Sequence, residues 1–368
     1  FAFMVLQFFR KELSFIIAVI CFSLLYVLGS SPIIKESLAV EAILFILVFS
    51  VIIYAALGVV HHAELLAYKF GEPYGTMILT LSAVTVEIIM IATMMLHGDS
   101  DPHVARDTIF STLMILLNGL TGLIMLIGGI KYGEQKYNLK STNSFFSMIF
   151  GIVGIGLFLP LVIPVENYAL YETFLIIVCL LLYIFFLRMQ SKEHNYYFKF
   201  EGPKKNLTTE HDHLPAKKDI SSVYHFIMLL ATIGAISILA ESLSVYVDDG
   251  IEKLHLPAAA AGLIIAIIIV SPGALTAIRA GLHDDMQRVI NISLGSMLST
   301  VSLTIPAVLI IGLLIGQDLI LGLSPIQSSM VIISLLVGIL TCKDGESNAL
   351  QGFIHFILFL TFVFLIFV

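Results

Sequence analysis

The chain has 368 residues, 58% of them apolar and 12% charged, with a mean hydropathy of +1.01 and a net charge of −7. A soluble domain carries about a quarter charged residues, so this composition excludes a single water-soluble core and makes a lipid bilayer the natural solvent. Lys and Arg form no cluster of the kind that holds nucleic acid, which excludes that class of partner.

A spanning helix needs about 20 predominantly apolar residues. Such runs predict helices at 13–30, 40–60, 74–97, 109–130, 143–164, 169–188, 222–246, 257–279, 288–315, 325–342 and 349–368. The chain opens at Phe1 without a Met, so a few residues are expected to precede it. The first run lacks an A-x-A-like end and reads as a spanning helix, not a cleavable signal. Cys21, Cys179 and Cys342 each stand alone in or beside apolar sequence and read as small packing residues.

With the N-terminus in the cytoplasm, sixteen of the 19 Lys and Arg residues fall inside; only Lys35, Arg106 and Lys253 fall outside. That asymmetry supports both the orientation and the helix count, and places the C-terminus outside. The one long polar stretch, 189–221, contains KEHNYYFKFEGPKKNLTTEHDHLPAKKD and reads as a cytoplasmic linker. Its His211 and His213 alternate with Glu210 and Asp212, a weak divalent-ion pattern for which a solvated linker is the better reading.

The linker separates two halves of opposite topology: helix three runs from inside to outside, helix eight from outside to inside. Each is followed by a helix that opens on charges and continues with hydroxyls, RDTIFSTLMILLNG (106–119) and DDMQRVINISLGSMLSTVSLTIP (284–306). The expected architecture is therefore an all-α integral membrane protein of about eleven spanning helices: an N-terminal helix (1–38), a first five-helix repeat (39–188), the linker (189–221) and an inverted second repeat (222–368). Inverted repeats with a midplane site are a transporter plan.

Two acids lie well inside predicted helices, Glu87 and Glu241. A charged carboxylate at bilayer depth costs about 2.5–3.5 kcal/mol on insertion scales and persists where it faces a cavity or a partner. Glu87 stands thirteen residues into helix three, roughly 20 Å along it. Thr80, Ser82, Thr85 and Thr93 add hydroxyls; Thr80 shares its face, Thr85 does not. Oxygen ligands suit hard cations such as Ca²⁺, and a carboxylate out of water accepts a proton near neutral pH. One acid that binds either a cation or a proton couples the two fluxes; the alternative is a structural acid paired with another helix. Glu241, in SILAESLSVYVDDG, is expected near the outer end of helix seven, as a proton acceptor, a vestibule residue or an interfacial acid. Glu64, Glu72, His61 and His62 surround the cytoplasmic mouth of helix three in HHAELLAYKFGEPYG, where Gly71, Pro73 and Gly75 break the helix. The histidines there are either pH sensors or plainly solvated.

The stretch GEPYGTMILTLSAVTVE (71–87) resembles the first conserved repeat of the calcium/proton exchangers. In that family a Gly-Glu pair leads, sixteen residues later, to the essential Glu of a G-N-A-x-E motif, the same spacing as Gly71 to Glu87 here. The G-N pair is replaced by Ala83-Val84, as in the bacterial sodium(potassium)/proton and calcium/proton branch. HHAELLAYKFGEPYGTMILTLS, RDTIFSTLMI, LGSMLSTVSLTIPAV and the closing KDGESNALQGFIHFILF are similar to that branch. The resemblance implies that Glu87 is the first exchange carboxylate, that Glu241 matches an acidic position in the seventh helix, and that Ser296 and Ser299 stand in the second hydroxyl motif. Where the bacterial branch reads S-P-E, this chain reads Ser271-Pro272-Gly273, so the second exchange carboxylate is replaced by Gly273.

The expected function is a secondary antiporter of a bacterial inner membrane. It would exchange cytoplasmic Ca²⁺, with Na⁺ or K⁺ as alternatives, for protons, with no cofactor and with activity impaired by Gly273. The ion path would use Thr80, Ser82, Thr85, Ser271, Asn291, Ser296 and Ser299 beside Glu87. A homo-oligomer is compatible with the sequence. The rival reading is a non-transporting cation-binding or sensing membrane protein. An intramembrane enzyme is disfavoured, because neither H-E-x-x-H nor a phosphate loop is present.

Overall fold

The computed structural model of the chain describes residues 12–28, 38–71, 74–97, 102–193, 195–198 and 220–368. Eleven helical rods follow in order: α1 (Leu13–Leu28), α2 (Leu38–Phe70), α3 (Tyr74–His97), α4 (Val104–Tyr132), α5 (Leu139–Leu161), α6 (Val165–Ser191), α7 (Ser222–Leu254), α8 (Ala259–Leu282), α9 (Met286–Ile315), α10 (Pro325–Cys342) and α11 (Ala349–Ile366). The ten from α2 onward are long and apolar enough to cross a membrane, and α1 contributes a shorter apolar helix. Exposed Leu170, Leu181, Ile184 and Phe185 on α6 have no counterpart on a soluble protein and suit contact with lipid.

The halves repeat in length. α2 and α7 are each 33 residues, α3 and α8 each 24, and α4 and α9 are 29 and 30. α4 and α9 share a second trait, a π-helical segment at Ile115–Thr121 in one and Thr300–Thr304 in the other. Such segments interrupt the regular hydrogen-bond ladder and occur often at functional sites.

Two compact units arise, and each draws on both halves of the sequence: residues 1–101 with 207–256, and residues 102–206 with 257–368. Among the described residues, the first unit holds α1, α2, α3 and α7. Its interior is lined by small side chains (Ala18, Ala55, Ala56, Ala63), which let membrane helices approach closely. At Gly58 the approach is closest: a Cβ there would sit 2.2 Å from the Ser14 hydroxyl of α1 and 3.8 Å from Thr232 of α7. α2 and α7 are also tied near one pair of ends, where Lys253 Nζ donates to both oxygens of Glu41 at 2.5 and 2.6 Å.

The second unit holds α4, α5, α6 and α8 to α11. α8 rests on α4 backbone to backbone, since a Cβ at Gly262 would lie 2.7 Å from the Asp107 carbonyl carbon. α11 meets the other half of α4 in the same way, with a Cβ at Gly352 falling 2.2 Å from the Leu126 amide nitrogen. Two short strands, β1 (Gln135–Lys136) and β2 (Glu346–Ser347), pair antiparallel and put the α4–α5 and α10–α11 turns at one end of the unit. Lys131 Nζ and the Tyr132 hydroxyl donate to the Leu282 carbonyl, so α8 also ends there. At the other end the Ile320 amide donates to the Pro102 carbonyl. These same-side ties agree with the alternation of helix directions read from the Lys and Arg positions. In the β1–β2 turn, burial holds the Tyr137 phenol well above its ordinary range; it stays neutral and donates to the Glu346 carbonyl at 3.1 Å.

Two rods run past their expected ends. α2 continues to Phe70, ten residues beyond 60, and α7 to Leu254, eight beyond 246. The added stretches are polar yet made of good helix formers, and they carry the side chains that tie α1, α2 and α7 together. The linker is described only at its borders, where α6 extends to Ser191 and Asn195–Phe198 forms a short turn; Glu210, His211, Asp212 and His213 lie outside the described residues. All three cysteines are buried and free.

Candidate ion-exchange site

In the first unit the site is built on α3. Gly71 takes φ +67°, a conformation that favours glycine, and ends α2; α3 starts at Tyr74. Glu72, expected at this mouth, lies outside the described residues. Glu87 is 3% exposed in the middle of α3. Around it Ser82 and Thr93 are buried, Thr80 is half-buried, and Thr85 is exposed, off the Glu87 face as expected. The Ser82, Thr85 and Thr93 hydroxyls donate to the carbonyls of Ile78, Leu81 and Ile89 at 2.7, 2.6 and 2.8 Å. A hydroxyl that spends its hydrogen on its own helix keeps its lone pairs for another partner. α3 thus offers one carboxylate and several acceptor oxygens, the donor set of a hard cation.

Glu64 and His61 are exposed, whereas His62, one residue along, is 2% exposed and hydrogen-bonded on both ring nitrogens. His62 therefore departs from the solvated reading. Glu241 is exposed on α7. Because α7 runs on to Leu254, Glu241 stands roughly 20 Å before its end at 1.5 Å per residue, deeper than expected.

In the second unit, α8 carries Ser271, Pro272 and Gly273. Pro272 lies inside the helix and has no N–H for the Ile268 carbonyl, while the Ser271 hydroxyl donates to the Ile267 carbonyl. Gly273 is half-buried, and a Cβ there would meet only Ile292 Cγ2 at 3.7 Å, an ordinary contact. On α9, Ser296 is half-buried and Ser299 buried, the latter donating to the Ser296 carbonyl at 2.9 Å. Asn291 serves a brace as well: its amide donates to the Phe198 carbonyl at 2.8 Å and its carbonyl accepts from Gln287, which also reaches Ser141 and the Asn138 amide.

Two groups of residues in this unit were not singled out from sequence. Thr108 and Thr112 on α4, with Ser293, Ser302 and Thr304 on α9, are at most 1% exposed, and their hydroxyl oxygens have no hydrogen-bond partner among the described residues. Buried oxygens without partners call for a water or an ion. Their signal was the hydroxyl content of RDTIFSTLM and NISLGSMLSTVSLTIP, but which hydroxyls are buried depends on packing. The second group is a buried chain. Asn118, in the π-helical segment of α4, donates to Ser334 Oγ at 2.7 Å and faces His355 Nδ1 at 2.8 Å, and His355 Nε2 faces Thr341 Oγ1 at 3.2 Å. At the far end of α4, buried Asp107 accepts from Arg106 and Gln327, each at 2.8 Å. Among the described residues no group of three or more His, Cys, Asp and Glu is arranged to hold a metal.

Comparison with known proteins shows the family. The sodium-potassium/proton antiporter ChaA of Escherichia coli (strain K12) is 31% identical over 359 residues, covering 97% of each chain. A Ca²⁺/H⁺ antiporter of Aphanothece halophytica is 24% identical over 262 residues, 68% of this chain and 70% of that one. The fold is similar to that of native YfkE, with TM-score 0.75 and 19% identity over 96% of this chain and 99% of that one. It is also similar to the H⁺/Ca²⁺ exchanger CAX, with TM-score 0.69 and 14% identity over 97% and 89%. Residues 40–192 and 224–368, the two halves flanking the polar linker, match the sodium/calcium exchanger protein family, and the chain belongs to that family.

Proposed function

We propose that the chain is a secondary antiporter, exchanging a cytoplasmic cation for external protons across a bacterial inner membrane by alternating access. The observation that carries this reading is Glu87, a carboxylate 3% exposed in the middle of a spanning helix and flanked by acceptor hydroxyls. When ionised it binds a cation; when protonated it is neutral. Each occupant excludes the other, so the two move in opposite directions on one site.

Gly273 stands where the family resemblance places a second carboxylate. With Glu87 alone, a bound Na⁺ or K⁺ is neutralised one for one, as is a bound proton. A bound Ca²⁺ keeps one uncompensated charge, which is costly in a medium of low dielectric. The charge balance supports monovalent exchange first and weak Ca²⁺ exchange second, in line with the name of the Escherichia coli relative, a sodium-potassium/proton antiporter. Glu241, on the same unit as Glu87, is the candidate acid of the outer vestibule.

The test is flux in proteoliposomes under an imposed pH gradient, with Na⁺, K⁺ or Ca²⁺ supplied in turn. Proton flux that depends on a cation and disappears in Glu87→Gln supports the reading. The absence of any cation-dependent proton flux in the unaltered chain favours the non-transporting cation sensor.

A further inference from the structure

α1, α2 and α7 converge at one end of their unit on a cluster whose interior is closed to solvent. Glu12, at the start of α1, and His62 of α2 are each 2% exposed. Glu12 Oε2 lies 3.0 Å from His62 Nε2, and its other oxygen accepts from the Tyr224 hydroxyl of α7. His62 Nδ1 lies 3.0 Å from Nδ1 of His225, also on α7. One residue row away, Lys69 donates to the Ile220 carbonyl. By the Lys and Arg distribution this end faces the cytoplasm.

The contacts fix where protons can sit. Glu12 accepts on both oxygens, so His62 Nε2 carries a hydrogen. The two Nδ1 atoms are within hydrogen-bond distance, so one of them carries a hydrogen and the other a lone pair. The pair can therefore be neutral or hold one extra proton, with the Glu12 charge beside it. A second extra proton would put hydrogens on both Nδ1 atoms, and the contact between α2 and α7 would part.

The titratable groups around His62 among the described residues are these. His61 on its own helix has its ring 5.6 Å away, Tyr224 presents its ring edge at 6.5 Å, and Lys69 is committed to Ile220. Glu64 and Tyr68 lie further along α2. α3, the fourth helix of the unit, carries Tyr74 at its start and Glu87 at its middle.

We infer that Glu12, His62 and His225 form a regulatory proton-binding site, closed at neutral pH and opened when cytoplasmic acid puts a proton on both imidazoles. Histidine is suited to that range. The inference rests on the proposed antiport: an exchanger that brings protons inward acidifies the face on which this site lies, and opening the α1–α2–α7 junction slows further exchange.

The experiment is hydrogen–deuterium exchange of the full chain in phosphatidylethanolamine/phosphatidylglycerol nanodiscs. Peptides covering 12–20, 58–66 and 221–229 are followed at pH 7.5 and 5.5, corrected for intrinsic exchange. The unaltered chain should lose about tenfold protection at these helix ends at the lower pH. His225→Gln keeps a donor for His62 Nδ1 but does not titrate, so its protection should hold. In proteoliposomes the same variant should exchange normally at pH 7.5 and lose the acid inhibition. Equal loss of protection in both proteins, or no acid-dependent loss in the unaltered chain, overturns the inference. Because hydrogen exchange reports on the junction without any transport, a chain that moved no cation would refute the antiport reading and still leave this site decided.

Discussion

α3 and α8 occupy matching places in the two halves and have the same length, yet they have diverged in charge. α3 carries Glu87 buried at its middle, α8 carries Pro272 and Gly273, and the hydroxyls of both helices donate to their own backbone. The contrast is not one of space. A Cβ at Gly273 meets one methyl group at ordinary distance, so the packing there does not require glycine. Two helices of equal length and matching place in the sequence can thus differ by a whole charge, and in the proposed exchange that charge sets which cation is balanced.

Four substitutions test that contrast, in falling order of expected effect. Glu87→Gln neutralises the proposed exchange carboxylate while keeping the shape, and exchange should fall at least about 100-fold, some 3 kcal/mol, with the thermal midpoint in detergent little changed. Gly273→Glu restores the missing charge; the ratio of Ca²⁺-driven to Na⁺-driven proton flux should rise about tenfold. Asn118→Leu, in the π-helical segment of α4, strands Ser334 and His355 in the core and should cost about 1–3 kcal/mol of stability, read as a lowered thermal midpoint. Glu241→Gln, on the exposed face of α7, should lower the exchange rate by about two- to fivefold if Glu241 lines the vestibule. Complete loss would instead mean that Glu241 replaces the missing carboxylate.

Much of the fold was legible in the sequence because membrane helices announce themselves by apolar length alone. The eleven rods lie where the runs predicted, and the lengths of α3 and α8 were close. α2 and α7 ran long because their polar ends are held by partners far away in the chain: His62 by Glu12, 50 residues off, and Lys253 by Glu41, 212 residues off. No local pattern distinguishes buried His62 from exposed His61, since the difference is made by α1 and α7. The π-helical segments of α4 and α9 were equally silent, because they follow from packing and not from a residue type. Glu87 was legible because an acid in the middle of an apolar run has few explanations. The buried hydroxyls Thr108, Thr112, Ser293, Ser302 and Thr304 were not, because Ser and Thr sit in spanning helices for many reasons.

The central claim is that one carboxylate on α3, without a partner charge on α8, carries the exchange. The most direct measurement is proton flux in proteoliposomes under an imposed pH gradient, with Na⁺, K⁺ and Ca²⁺ compared for the unaltered chain, Glu87→Gln and Gly273→Glu. The account predicts monovalent-driven flux in the unaltered chain, none in Glu87→Gln and strong Ca²⁺-driven flux in Gly273→Glu. Full exchange in Glu87→Gln, or a cation preference that Gly273→Glu leaves untouched, would contradict it.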